Sequence, residues 1–150
     1  MNIEEKDGIF SVYGVVDEKL NLANYNIPSG KVKFDLTNLK SINSSGLREW
    51  VRGLDKYSIT PIYMNCPHFF TMLLNITREL LEDGATVESF QIPSHCVVCD
   101  DFKVFQMKLG RDFFPGKAFT YNFPKCELDG GDFEPESDLE SDYIFISTLK

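Results

Sequence analysis

No apolar run in this sequence approaches the roughly 20 residues needed to cross a bilayer, and no cationic leader precedes an apolar stretch as a secretory signal requires. The expectation is a soluble, cytoplasmic protein with no membrane partner. Cationic excess is missing as well. Net charge is −8, and the eight acids between residues 127 and 142, a stretch without Lys or Arg, account for all of it. The rest of the chain carries acids and bases in equal number, which leaves no basic surface for nucleic acid or an anionic membrane. The acidic stretch reads as a solvated segment that aids solubility, or as a cover for a basic partner or groove. Histidine is scarce: there are only His68 and His95. No serine–histidine–acid set, metalloprotease motif or phosphate-cradling glycine loop occurs. Carboxylates crowd together only in the acidic stretch, away from the apolar surroundings that tune a general acid. The chain is therefore expected not to be an enzyme.

Core-forming material is plentiful. With 43% of its 150 residues hydrophobic, the chain suits one domain with a small appendage. Gly8 to Val16 is β-branched and aromatic and reads as one or two strands, and Val32 to Leu36 alternates as a strand does. Leu47, Trp50, Val51 and Leu54 recur at i, i+3, i+4 and i+7, with Arg48, Glu49, Arg52, Asp55 and Lys56 between them. That is an amphipathic helix lying on a sheet, with Trp50 in the core and Ser44 or Ser45 as its N-cap. Ile59 to Met64 is the next strand, and Pro61 implies a late start or an edge position. Pro67 opens a second helical stripe, Phe70, Leu73, Leu74, Thr77, Leu80 and Leu81, that ends at Gly84. His68 is expected at its surface or as a cap. Ala85 to Ile92 follows as a strand closed by Pro93. Alternating strands and helices over residues 1–93 imply an α/β sandwich with at least partly parallel pairing. Residues 94–150 read as a small β-rich extension. Its strands are Phe102 to Leu109 and Ala118 to Phe123, turned by Gly110 to Lys117, and a short final element docks Tyr143, Phe145 and Leu149.

At Asn43-Ser44-Ser45-Gly46 a strand delivers two hydroxyls and a glycine to a helix start. Helix N-termini carry unpaired N–H groups and about half a unit of positive charge. A phosphate on Ser44 would meet backbone donors there and add close to two negative charges. Gly46 lets another backbone approach. Taken alone, two serines at a helix start are ordinary capping, worth about 1 kcal/mol.

The longer stretch Val32 to Leu54 resembles the signature of STAS domains, the fold of anti-sigma-factor antagonists and of sulfate-transporter tails. Asp35-Leu36 ends a strand, a short loop follows, and Ile42-Asn43-Ser44-Ser45-Gly46-Leu47 opens a helix at the matching separation. The resemblance implies that residues 1–93 form a STAS-like mixed sheet with helices packed on one side, and that the chain is a regulatory protein-binding module whose partner is an anti-sigma-factor or serine-kinase-like protein. It makes Ser44 the phosphorylated serine and Ser45 the neighbouring hydroxyl, with Asn43, Gly46 and Arg48 completing the contact surface. Asn43 stands where the family usually carries an acid. A constitutive adaptor or scaffold that keeps the fold without the switch is the alternative.

Four cysteines remain: Cys66, Cys96, Cys99 and Cys126. Cys66 reads as a buried free thiol. Cys96-Val97-Val98-Cys99 is a CxxC whose thiolates can reach one Zn²⁺ from a tight knuckle, and Cys126-Glu127-Leu128-Asp129-Gly130 looks like a second knuckle ending in Asp. Cys96, Cys99, Cys126 and Asp129 form a candidate structural zinc site of a zinc-ribbon-like unit, with His95 as a substitute ligand. Against it stands a decayed site in an extension held by apolar packing alone. A metal- or redox-responsive protein is the third functional reading. Thioredoxin-like chemistry, however, wants its CxxC at a helix N-terminus, and Val97-Val98 favours strand or loop.

Overall fold

Asp7 and Gly8 both take positive φ, 54° and 82°, the pair of left-handed residues that a type I′ hairpin turn requires. In the computed structural model, which describes residues 1–150, this turn folds strand β1 (Asn2–Lys6) back on β2 (Ile9–Val16) in antiparallel register. The expectation above has no strand before Gly8; the Asp-Gly pair is the signal that carries it.

Strand β2 changes partner along its length. Ile9 to Ser11 pair in parallel with β3 (Gly30–Asp35), and beyond an irregularity at Gly14 and Val15 the strand pairs in parallel with β4 (Leu39–Ile42). Helix α1 (Ser44–Lys56) follows, then β5 (Ile59–Met64), α2 (His68–Ile76) and the two-residue β6 (Thr86–Val87). The order β1-β2-β3-β5-β6 gives a mixed sheet, so the α/β class stands. Successive crossovers in one direction carry their helices to one face. Trp50 of α1 and Phe70 of α2 accordingly both meet Tyr63 of β5.

Several local expectations are corrected. Strand β5 is not at the edge of the sheet. Pro61 is tolerated because β6 pairs only with Ile62 and Tyr63, which leaves the first half of β5 open on that side. The second helical stripe does not make one helix. Thr77 is extended (φ −114°, ψ 90°), and Arg78–Leu81 forms a separate 3-10 turn that still buries Leu80. Gly84, with φ 89°, turns the chain toward β6 rather than capping α2. Helix α2 has no side-chain cap; His68 has its Nδ1 buried without a partner and its ring 6.3 Å from Tyr143.

Pro93 closes no strand. Strand β7 (Ser89–Cys96) runs through it, so a division of the chain at residue 93 falls inside an element. β7 is the centre of a second, antiparallel sheet, flanked by β8 (Phe102–Lys108) and β9 (Phe133–Pro135). Pro93 fits because β9 pairs only from Ser94 onward. The two sheets join where β7 passes Cys66, whose N–H bonds Ser89 O at 3.1 Å and whose carbonyl receives Gln91 N–H at 2.9 Å.

The expected hairpin of Phe102 to Leu109 with Ala118 to Phe123 does not form. The hairpin is β7–β8, and residues 118–123 are irregular. Their alternating aromatics seat on rings instead of building a ladder. Phe119 packs 5.5 Å from Phe90, while Tyr121 and Phe123 lie 6.2 and 5.2 Å from Phe105. The acidic stretch is no free tail, since it contains β9 and buries Phe133. Its carboxylates face solvent except that of Asp142, which is half-buried. Helix α3 (Phe145–Thr148) ends the fold, with Tyr143, Phe145 and Leu149 buried as expected. No helix is long and apolar enough to cross a membrane.

Candidate functional site

Strand β4 pairs with the end of β2 and sets the start of α1 at the carboxyl ends of these parallel strands. Ligands of open α/β sheets commonly bind at such ends. Asn43, not a serine, is the N-cap. Its backbone is extended (φ −88°, ψ 173°), its side-chain oxygen accepts the Gly46 N–H at 2.7 Å, and its carbonyl accepts Leu47 N–H at 2.8 Å. Asn caps a helix as well as Ser does, and its taking the cap releases both hydroxyls. Ser44 is exposed and Ser45 half-buried. Asn43→Ala is expected to lower stability by about 1 kcal/mol. Asn43→Asp keeps the acceptor and gains up to about 1 kcal/mol from the helix dipole. Urea midpoints of the two variants check the sign of each.

Gly46 is buried, and the backbone that approaches it belongs to this chain. A Cβ there would lie 2.3 Å from Val16 O and 2.8 Å from Asp17 N. Gly46 therefore locks α1 onto the end of β2 and is not a surface for a partner. The exposed face lies one turn further on. Leu47 and Val51, expected under the helix, are only half-buried. They line a groove of about 360 Å³ together with Arg48, Arg52, Thr77 and Glu79, and Ser44 stands at one end of it. Arg48 and Arg52 are both exposed; Arg52 pairs with Glu49 at 2.8 Å. Sequence reasoning placed Arg52 on the outer faces of α1 but missed Val51 as a surface residue and missed the groove that both line, although the i, i+4 repeats Leu47/Val51 and Arg48/Arg52 carry the signal.

Asp35, the acid that ends β3, is structural. It accepts the Thr37 N–H at 3.0 Å, the Thr37 hydroxyl at 2.6 Å and the Asn65 amide at 2.9 Å. Asn65 in turn reaches Ser89 and Gln106, so this network ties the first sheet to the second. Partial burial pushes the Asp35 carboxyl up, but the hydrogen bonds from Thr37 and Asn65 outweigh it and hold it below its ordinary value. Its contribution is present above the unfolded pKa and is lost as pH falls through the lower folded value.

The four proposed metal ligands converge. Cys96 and Cys99 sit on the β7–β8 turn, Cys126 and Asp129 on the loop before β9, and their ligand atoms all lie within 4.8 Å of one another. Cys99 Sγ is 3.9 Å from Cys126 Sγ, and Cys96 Sγ is 3.4 Å from Asp129 Oδ1. A zinc tetrahedron with Zn–S near 2.3 Å has sulfur–sulfur edges of about 3.8 Å and somewhat shorter sulfur–oxygen edges, so the residues fit the ion. His95 is outside the group. Strand alternation turns it to the other face, where its ring meets Glu136 at 2.9 Å and Glu134 at 3.8 Å. A backbone hydrogen bond from Asp101 draws the Cys99 thiol down, but Asp129 and the other two sulfurs push it up to about 12. The Asp129 carboxyl is held low, first by the Gly131 N–H and then by Cys99. The CxxC occupies a strand turn rather than a helix N-terminus, so the dipole that activates a redox thiol is missing there. Cys66 is fully buried and its thiol is pushed far up by desolvation, as befits an inert core residue. Comparison with protein-family models, curated proteins and solved structures finds no match to this chain.

Proposed function

We propose that this chain is a cytoplasmic, non-enzymatic STAS-like regulatory module that binds a protein partner through the Ser44 end of α1 and is switched by phosphorylation there. One observation carries the reading: Ser44 is exposed at the first turn of α1, at the end of a groove rimmed by two arginines, and that first turn contains no acid. Leu47 and Val51 supply an apolar strip for a partner to cover, and Arg48 and Arg52 favour carboxylates on that partner. A phosphate on Ser44 sits four residues before Arg48 on the same face, so it neutralises Arg48 and repels the same carboxylates. The resemblance to anti-sigma-factor antagonists supports the direction of the switch: the modified form releases its partner and the unmodified form binds.

The test pairs two measurements on protein from its own cells. Mass spectrometry should find phosphate on Ser44 or Ser45, and partners captured by the wild-type chain should bind Ser44→Glu at least about tenfold more weakly, a loss of about 1.4 kcal/mol. Ser44→Ala should bind as wild type does. Absence of phosphate under every growth condition, with Ser44→Glu binding unimpaired, would remove the switch and leave a constitutive adaptor on the same surface.

A further inference from the structure

We propose that Cys96, Cys99, Cys126 and Asp129 hold one zinc ion, and that this ion staples the acidic C-terminal coil to the β7–β8 hairpin. The inference is independent of the serine turn, which uses none of these residues.

Two distant segments present ligands in the same backbone form. Asp100 N–H bonds Cys96 O at 2.9 Å, and Gly130 N–H bonds Cys126 O at 2.8 Å. Each loop then leaves through a left-handed residue four positions after its first cysteine, Asp100 at φ 59° and Gly130 at φ 72°. Each knuckle thus offers a ligand pair at i and i+3, Cys with Cys and Cys with Asp. The knuckles face each other closely. A Cβ on Gly131 would lie 2.9 Å from Cys96 Sγ, 2.9 Å from Asp129 Oδ1 and 2.8 Å from Val98 Cγ2, so the chain has no slack around the cluster.

The donor set chooses the metal. Three thiolates and one carboxylate in a tetrahedral arrangement suit Zn²⁺, whereas Ca²⁺ and Mg²⁺ want six or more oxygens or octahedral geometry. A disulfide is a poorer account of the convergence. It would join only two of the four groups, and the Cys99 and Cys126 sulfurs stand 3.9 Å apart, well beyond the roughly 2.05 Å bond. The coil also needs a fastening. No helix or strand lies between β8 and β9, and β9 has three residues. Asp129 as the fourth ligand, exposed together with Cys99, makes this an exchangeable site open to chelators rather than a sealed one.

The full-length chain, stripped of metal under reducing conditions and refolded, should take up one Zn²⁺ per chain by native mass spectrometry and no Ca²⁺ or Mg²⁺. Substituted Co²⁺ should show tetrahedral visible bands with thiolate-to-metal charge transfer. Asp129→Ala should weaken zinc binding against a chromophoric chelator by more than about 100-fold, since even indirect partners of a ligand cost 10–100-fold. Asp129→Cys should tighten it and His95→Ala should leave it unchanged. Zinc should slow amide exchange in residues 124–132. A reduced, folded chain that retains no zinc overturns the proposal, as does Co²⁺ binding without charge transfer or an Asp129→Ala chain with unchanged affinity.

Discussion

Replacing Phe90 by alanine is expected to destabilise the chain by about 3–5 kcal/mol. Phe90 is fully buried near the start of β7. Its ring lies 5.0 Å from Phe113, 5.5 Å from Phe119, 5.1 Å from Tyr143 and 5.6 Å from Phe145, with the Tyr143 ring stacked and the Phe119 and Phe145 rings edge-on. Those four rings lie beyond β8, between Phe113 and Phe145, where the three-residue β9 and the start of the four-residue α3 are the only regular elements. Aromatic pairs add about 0.5–1.5 kcal/mol each beyond area burial, and deleting the shared ring removes all four at once. In a chain of this length each kcal/mol lowers the melting temperature by roughly 2–4 °C, so a fall of about 6–20 °C should follow. Phe90→Leu should recover part of it, because the volume is mostly kept. If Phe90→Ala lowered the unfolding free energy read from a urea titration by less than about 1 kcal/mol, the C-terminal coil would not be resting on this ring.

The part of the fold that repeats a short period was legible in the sequence, and the part held by rings was not. Helix α1 shows its 3.6-residue stripe openly, and strands β3 and β5 alternate as half-buried strands should. Phe119, Tyr121 and Phe123 also alternate, yet they form no strand: tertiary contacts with Phe90 and Phe105 decide their conformation, and local pattern cannot report contacts so far apart in the chain. The stripe from Phe70 to Leu81 misleads for a related reason. Leu80 reaches the core from a 3-10 turn as well as it would from a continuous helix. Prolines 61 and 93 sit inside strands because each lies where a neighbouring ladder ends: β6 pairs only from Ile62, and past the end of β9 the Pro93 carbonyl still accepts the Glu136 N–H at 2.8 Å while no N–H is needed in return, which only the assembled sheet reveals.

The candidate sites divide in the same way. The convergence of Cys96, Cys99, Cys126 and Asp129 follows from knuckle spacing, and the fold brings those side chains together even though the hairpin that carries Cys96 and Cys99 is not the one expected. The capping oxygen of Asn43 was legible as a residue type, but its choice over Ser44 depends on the extended backbone at position 43. The groove beside Ser44 was hidden because Leu47 and Val51 belong to the same apolar stripe as Trp50 and Leu54. The sheet covers only part of that stripe: Trp50 and Leu54 are buried, while Leu47 and Val51 stay half open.

That division of the stripe makes Trp50 the residue on which the position of the Ser44 surface depends. Trp50 is the only tryptophan and is 2% exposed. Its ring meets Phe34 of β3 edge-on at 4.9 Å, and its indole N–H donates to the Tyr63 hydroxyl of β5 at 3.3 Å. Trp50→Ala should cost about 3–5 kcal/mol from the cavity, and the Tyr63 hydroxyl, left in the core without its donor, adds a penalty of about 1–3 kcal/mol. Trp50→Phe should keep most of the ring contact and lose chiefly the hydrogen bond. Adding Tyr63→Phe to it removes the stranded hydroxyl, so the double variant should be more stable than the sum of its single costs implies. Circular dichroism through a urea titration reads the wild type, Trp50→Ala, Trp50→Phe, Tyr63→Phe and the double variant, and the wild-type emission should shift to the red only in the main unfolding transition. A Trp50→Ala chain that kept its midpoint, or a cycle with no coupling, would mean that α1 does not rest on β3 and β5 through this ring. The N-terminus of α1 would then have to be held at the end of β2, by the close approach of Gly46 to Val16 and the Asn43 N–H bond to Val16 O at 3.1 Å.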